Sequence, residues 1–367
     1  MGSARSYGSH VKTQATRTRK RTSQAVKIDD VARQAGVSAM TVSRVMNGEA
    51  GVRKDTRDKV LRAVKALNYQ PNRSARRLAK GGDVHIGLIY ANPSDNYLGR
   101  FLHGALDAAQ RTDNHLIVDI CDDNSSASYV SSALRLAKAN IAGVILPPPI
   151  SGSREILSVF DELQIPVATV ANGEEARNSN DISIDDKGAA AEITRHLIEL
   201  GHRRIAFIKG QADQGSSGLR EKGFRQAMMD ADLEIDEQYI TAGEFTYRSG
   251  VEASERLLEL SKPPTAIFAS NDDMAAATIG VAHRRGLSVP DDLSVVGFDN
   301  GPSAISVWPE LTTMDQPVSA MAAAAYELVL SEIDNGENAE RSPLSQQLRE
   351  CQLIVRGSSG PCNKRLG

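Results

Sequence analysis

A small all-α head in front of an α/β body of two successive lobes is the fold class that this 367-residue chain predicts. Three observations carry it. Residues 26 to 81 read as two short helices around a tight turn, a third helix and a basic hinge. The remaining roughly 285 residues, from Asp83 on, alternate short apolar runs with helical patterns, enough chain for two substantial cores. Charge divides at the same place: residues 1–82 carry 19 Lys/Arg and 5 Asp/Glu, a net of +14, whereas the rest carries 24 and 41, a net of −17. The whole-chain value of −3 hides a basic head on an acidic body.

In the head, Ile28, Val31, Ala32 and Ala35 recur at helical spacing. Asp29 and Asp30 fall in the first turn, where carboxylates suit the helix dipole. Gly36 is expected to stop that helix, because it takes a left-handed backbone without steric cost. Ser38 is placed to cap the second helix by accepting from an orphan N–H. There Val42 and Val45 point inward, while Ala39, Met40, Thr41, Ser43, Arg44 and Asn47 point away or lie on the flanks. Small, hydroxyl and guanidinium side chains on one outer face suit base edges and phosphates. In the third helix Leu61, Val64 and Leu67 are expected to complete the apolar stripe. The same pattern fits a plain helical subdomain with a solvated Arg44; the basic charge of the head favours nucleic acid.

Beyond the third helix, Pro71 disfavours helix in Tyr69-Gln70, and Asn72 is a good cap for a new short helix from Arg73 to Ala79. That helix is too short and too charged to be stable alone in water, so Ser74, Arg76, Arg77 and Leu78 would be ordered only against a partner. Lys80-Gly81-Gly82 then forms a flexible joint. The expected divisions are a basic disordered arm (1–25), the helix-turn-helix domain (26–71), hinge helix and linker (72–82), the body (83–359) and a tail (360–367).

In the body the apolar runs His85–Tyr90, His115–Ile120, Gly143–Pro147, Pro166–Val170, Arg204–Ile208, Thr265–Ala269 and Leu293–Phe298 read as strands. Helical stretches such as Leu98–Thr112, Ala189–Leu200 and Asp272–Gly286 lie between them. This alternation predicts parallel sheets with helices on both faces, and a break near Asn180–Asp186 predicts two lobes. Ligands of open parallel sheets sit beyond the carboxyl ends of the strands. That rule picks Ala91-Asn92, Asp122-Asp123, Asn271-Asp272 and Asp299-Asn300. Tyr97 and Phe101 are candidates for the same cleft, although Phe101 equally fits the core, being at helical spacing with Ala105.

The residues Ile28–Asp30 with Val31-Ala32, Ala35-Gly36-Val37-Ser38, Thr41-Val42-Ser43-Arg44-Val45 with Asn47, and Asn68-Tyr69 with Pro71-Asn72 are specific in combination. Through them, and through Leu353–Ser358 near the end, the chain resembles the lac repressor/galactose repressor family of bacterial transcription regulators from Val26 to Ser359. The resemblance implies a body like a periplasmic sugar-binding protein, with parallel sheets and three crossovers. Lobe 1 would comprise about 83–184 plus 317–345, and lobe 2 about 185–316 plus 346–359. It implies double-stranded operator DNA as partner, bound by a homodimer. Base edges would be read by Ala39, Met40 and Arg44, with Ser38, Thr41, Ser43, Asn47, Asn72, Ser74 and Ala75 among the DNA contacts. Paired hinge helices would fold in the minor groove, with Leu78 levering a base step open.

The family's effector contacts match Ser216, Arg220, Phe245, Asn271, Asp299 and Gln316, to which Asn92 and Tyr97 are added from the strand-end rule. A guanidinium and a carboxylate give to and take from neighbouring hydroxyls, the amides do both, and Phe245 offers an apolar face, so the chemistry suits a sugar. Arg220 and Asp299 also fit a plain inter-loop ion pair. Several members carry an acidic residue after the strand Pro166–Val170, where this chain has Ala171-Asn172, so no one relative's ligand carries over. The run Pro147-Pro148-Pro149, the segment Glu244–Tyr247 and Ser306-Val307-Trp308-Pro309 resemble carbohydrate-responsive members. Trp308 fits either stacking on a sugar or a structural role near the lobe junction.

No apolar run reaches the ~18–20 residues of a membrane span, and Met1–Ala25 has no apolar signal core. Cys121, Cys351 and Cys362 have no pairing logic, consistent with a reducing bacterial cytoplasm. No metal cluster, cofactor motif, phosphate loop or nucleophile elbow is visible, and His202 reads as part of a helix-to-strand turn. A four-helix tail is absent after Gly357, so a dimer is expected. The expected function is a non-enzymatic repressor of carbohydrate-utilisation genes, released from a palindromic operator by a mono- or oligosaccharide. A nucleobase corepressor is the alternative effector, and a solute receptor without DNA function is the alternative class.

Overall fold

The computed structural model describes residues 27–46, 52–67, 84–121, 123–171, 173, 180–335 and 347–363. The arm, the hinge, and the candidates Asn47, Asn72, Ser74, Ala75, Leu78, Asp122 and Asn172 lie outside the described residues. The chain divides into two compact units, a head and a body.

The head folds as α1 (Ile28–Ala35), α2 (Ala39–Met46) and α3 (Lys54–Leu67). Asp30 accepts from the backbone N–H of Lys27 at 2.9 Å, which holds the first turn of α1. Gly36 ends that helix at φ +67°. Ser38 Oγ accepts from the Thr41 N–H at 3.2 Å, the capping bond that starts α2. Val31, Ala32, Val42, Val45, Val60 and Ala63 form the core. Here the structure corrects one residue of the sequence reading of α3: Leu61 is 48% exposed, whereas Val64 and Leu67 pack against the core beside buried Val60 and Ala63. Both pairs of positions keep helical spacing. Val60 and Ala63 stand one turn before Val64 and Leu67 and share their face, whereas Leu61 falls on its flank.

The body's strands, in chain order, are β1 (His85–Tyr90), β2 (His115–Ile120), β3 (Gly143–Leu146), β4 (Val167–Val170), β5 (Asp181–Ile184), β6 (Ile205–Ile208), β7 (Ile240–Thr241), β8 (Ala266–Ala269), β9 (Ser294–Asp299), β10 (Thr312–Asp315), β11 (Gln347–Arg349) and β12 (Gln352–Ile354). Its helices are α4 (Asp95–Arg111), α5 (Ser126–Lys138), α6 (Arg154–Glu162), α7 (Asp186–Glu199), α8 (Gly215–Asp230), α9 (Tyr247–Leu258), α10 (Asp272–Arg284), α11 (Pro302–Ser306) and α12 (Val318–Asn335). The strands form two six-stranded sheets, β11-β5-β4-β3-β1-β2 and β12-β10-β9-β8-β6-β7. Every pairing is parallel except that of β12 with β10.

The chain passes between the sheets three times: after β5, after β10, and between β11 and β12. Two details differ from expectation. Residues 180–186 are no break, because 181–184 pair with β4 as a strand of the first sheet. The lobe changes just after it, where Asp185 caps α7 by accepting from Gly188 N–H at 2.8 Å. Residues 347–349 likewise belong to the first sheet, beside β5, rather than opening the second lobe.

Helices α4 and α12 cover the first sheet, crossing at Gly104, where a Cβ would lie 2.0 Å from the Ser319 carbonyl oxygen. Phe101 is fully buried beneath that crossing and belongs to the core. In the second lobe Phe207 stacks on Phe224 and meets Phe268 edge-on, each at 5.0 Å between ring centres. Buried His202 bonds Thr265 and Ser294, each at 3.0 Å, so it pins β8 and β9 at their amino ends. Among the described residues no helix is long and apolar enough to cross a membrane.

Candidate nucleic-acid face and effector cleft

The head turns Val42 and Val45 of α2 inward, and helical periodicity sends the intervening residues outward. Met40 is 67% exposed and Arg44 is exposed, while Ala39, Thr41 and Ser43 are partly covered. Ser38 has a structural duty besides its candidate one. Its hydroxyl also lies 2.9 Å from that of Thr41, so the two polar groups at the start of α2 are held together. An exposed thioether beside a guanidinium on one short helix supplies an apolar contact and a bidentate donor, the two kinds of group that read base edges.

In the body, both sheets present a point where strand order reverses, between β1 and β3 and between β6 and β8. The loops at the carboxyl ends of these strands open onto one cleft of about 360 Å³. Asn92 follows β1, Pro148 follows β3 and Ala171 follows β4. Gln214, Asn271 and Gln316 follow β6, β8 and β10, and Asp299 ends β9. All eight residues named for an effector from the sequence line it: Asn92, Tyr97, Ser216, Arg220, Phe245, Asn271, Asp299 and Gln316. Ser94, Pro148, Ala171 and Gln214 complete the lining and were not named as contacts. The same strand-end rule could have found Gln214. Asp123 does not line the cleft; it follows the edge strand β2 and accepts from Ser125 N–H at 2.9 Å. Trp308 does not line it either and is 82% exposed.

Arg220, on α8, is the centre of the cleft's charge network and only 4% exposed. Its Nε–H donates to Asp186 Oδ1 at 2.8 Å and its Nη1 to the Ser270 carbonyl at 2.6 Å. Nη2 donates to Gln316 Oε1 at 3.3 Å, and Asp299 Oδ1 lies 3.7 Å from Nη1. The guanidinium carbon sits 3.6 Å from the centre of the Phe298 ring. The main partner of Arg220 is therefore Asp186, at the start of α7, with Asp299 second. A pairing across two helices leaves no local sequence signal.

Burial pushes the Asp186 carboxyl above the usual range, against the pull of Arg220. Burial also raises Asp299 to about 7, opposed by Arg220 and Arg100 and aided by Asp273 and Asp186. Asp272 is raised well above the ordinary carboxylate range, first by burial and then by Asp299. It accepts from Thr313 Oγ1 at 2.6 Å and Gly301 N–H at 2.7 Å. From the other lobe, Arg100 on α4 donates to the backbone oxygens of Asp299 and Gln316. Ser94 and Asn96 donate to Asp273 on α10. The two lobes are thus tied by polar contacts directly behind the cleft.

The backbone is strained at the same place. Ala171, Phe245 and Asp299 adopt φ of 53°, 59° and 110°. Such conformations cost on the order of 1–3 kcal/mol each and persist where the surroundings over-determine them. Phe245 is held in place over Gly210, where a Cβ would lie 1.9 Å from its ring. Asn271 Nδ2 donates to the Phe245 carbonyl at 2.9 Å and fixes the same loop.

With this geometry in view, the comparisons are consistent along the chain. The family described as bacterial regulatory proteins, lacI family, matches residues 27–72, and a periplasmic binding protein-like domain matches residues 194–359. The chain is 35% identical over 320 residues to catabolite control protein A of Priestia megaterium, covering 86% of this chain and 95% of that protein. It is 33% identical to the transcriptional repressor PurR of Histophilus somni, covering 83% and 92%. Among solved structures, the transcriptional regulator CelR in complex with cellobiose superposes with a TM-score of 0.69 at 29% identity, covering 91% of this chain and 99% of that one. The chain belongs to the lacI family of bacterial regulatory proteins, DNA-binding transcription regulators rather than enzymes.

Proposed function

We propose that this chain binds a palindromic operator as a homodimer and is released from it when a sugar occupies the cleft of the body. The observation that carries the reading is the cleft itself. One guanidinium, one carboxylate, four amides, three hydroxyls and the Phe245 ring converge around it from the two sheets and their helices. That inventory gives and takes hydrogen bonds at several points around an apolar face, which matches a pyranose ring with its hydroxyls. The likeness to a regulator solved with cellobiose supports the same ligand class. At the head, Ala39, Met40 and Arg44 of α2 read base edges, with Ser38, Thr41 and Ser43 beside the phosphates. Asn47, Asn72, Ser74, Ala75 and Leu78 extend that contact surface in this proposal.

A dimer is supported by the edge of the first sheet. Leu116, Val118 and Ile120 share one face of β2, the face opposite Asp119, whose carboxylate Arg135 holds at 2.6 Å. Leu116 packs against the core, but Val118 is 39% and Ile120 65% exposed on an edge that no other described strand pairs with. A second copy would cover this apolar row.

The test is selection of binding sites from random double-stranded DNA with the full chain. Mobility-shift titrations follow in the presence of cellobiose, glucose or hypoxanthine. A palindromic consensus released by a sugar is the expected result. A pool without sequence preference, or a response to hypoxanthine alone, contradicts it.

A further inference from the structure

We propose that the cleft is built for an uncharged, hydroxyl-bearing ligand, and that the hydroxyl of Tyr97 reads one of the ligand's hydroxyls. This deepens the proposed sugar site and rests on that reading.

The first part follows from an inventory of Arg220. A guanidinium has five N–H bonds in a fixed fork. Nε–H donates to Asp186, one Nη1–H to the Ser270 carbonyl and one Nη2–H to Gln316. One N–H remains on each Nη, and Asp299 Oδ1 lies beside Nη1 at 3.7 Å. Phosphates and carboxylates are gripped by a guanidinium whose charge is free to pair with them, whereas that of Arg220 is already met by Asp186 and Asp299. Among the described lining residues it is the one cation. Arg100, the other guanidinium close by, is turned to the backbone oxygens of Asp299 and Gln316.

Carboxylates outnumber these cations. Asp299 faces the cleft, Asp186 lies behind Arg220, and Asp272 and Asp273 line a second cavity of about 240 Å³. Ser94, Tyr97 and Asp299 form the wall that the cleft and this second cavity share. A phosphorylated sugar or a uronate would bring its charge into a field of the same sign, in surroundings where screening is weak.

The second part concerns what is left to recognise the ligand. Asn92 donates to the Pro148 carbonyl and accepts from Ser94 N–H. Asn271 donates to the Phe245 carbonyl and accepts from Met274 N–H. Both asparagines therefore hold loops in shape. Tyr97 differs. It is 8% exposed, its ring stacks on Phe101 at 6.0 Å between centres, and its hydroxyl has no hydrogen-bond partner among the described residues. Burial raises its pKa, so it remains a neutral phenol able to donate. A buried hydroxyl aimed at a ligand site without a partner discriminates strongly, because a ligand that lacks the matching group leaves it unpaired. Asp299, on the same wall, accepts from the hydroxyl that Tyr97 donates to, or from its neighbour.

The experiment is calorimetric titration of the full chain at pH 8 with glucose, cellobiose, glucose 6-phosphate, glucuronate and hypoxanthine, repeated with Tyr97→Phe. A neutral sugar is expected to bind at least about thirtyfold tighter than the anionic sugars. Tyr97→Phe keeps the ring and its stacking, and should weaken that sugar about tenfold without lowering the melting temperature of the free protein. Against a series of monodeoxy analogues of that sugar, the tenfold difference should vanish for one member. Glucose 6-phosphate or glucuronate binding as tightly as the neutral sugars overturns the charge argument while leaving the sugar reading standing. Equal affinities for native protein and Tyr97→Phe remove Tyr97 as the reader. Hypoxanthine as sole ligand, or no binding across the panel, overturns the sugar reading and this proposal with it.

Discussion

The head and the cleft use the same residue, arginine, in opposite ways. Arg44 is exposed on a short helix, whereas Arg220 is 4% exposed and held by two carboxylates, an amide and a backbone carbonyl. Removing an exposed side chain costs the fold little, so it changes chiefly what the protein binds. A buried guanidinium is one member of a network, and its removal leaves Asp186 charged and without its partner. The lesson is that one region is read residue by residue, while the other works as a unit. Variants in the two regions should differ accordingly.

The largest effect is expected for Arg220→Ala. Breaking a buried ion pair by removing one partner costs about 3–5 kcal/mol, so denaturant unfolding of the body should shift by that amount. A loss under 1 kcal/mol would mean that the cleft network is no more coupled than the surface of the head.

Asp299→Asn comes next, and its effect depends on pH. The folded pKa is raised from 3.8 to about 7. Stability from the protonated form is therefore fully present below pH 3.8 and lost as pH rises through about 7. An asparagine does not titrate and escapes that loss. Relative to the native chain, the variant should gain melting temperature from pH 5 to pH 8. A constant difference across that range would place the Asp299 carboxyl in ordinary water.

Arg44→Ala should leave the unfolding curve unmoved within about 0.5 kcal/mol and weaken the selected operator by about 1–3 kcal/mol at the contacted base pair. Equal weakening on operator and random DNA would show a phosphate contact instead.

How much was legible in the sequence follows the same division. The head's helices, the Gly36 stop and the Ser38 cap are local events, and the structure places them where spacing and capping chemistry predict. In α3 only Leu61 was misread, because Leu61 and Val60 both fit a stripe with Val64 and Leu67 and packing decides between them. In the body the long apolar strands were visible. The strand at 181–184, the two-residue β7, β10 and the short β11 and β12 were not, since each owes its conformation to a neighbouring strand. The cleft lining was legible because strand ends and family motifs point to it. Its charge balance was not. Asp186 reaches Arg220 from another helix, and Tyr97 is distinguished by a missing partner, which only three dimensions reveal.

The central claim is that the cleft and the head share one free energy, so that what binds in the body alters the grip on DNA. Linkage makes this testable without knowing the path between them. Ligand affinity is measured by calorimetry with and without saturating operator, and operator affinity by mobility shift with and without saturating ligand, at one salt concentration. The account predicts that both ratios differ from one by the same factor, between about 5 and 150. A ligand that fills the cleft with equal affinity whether or not operator is bound would contradict it.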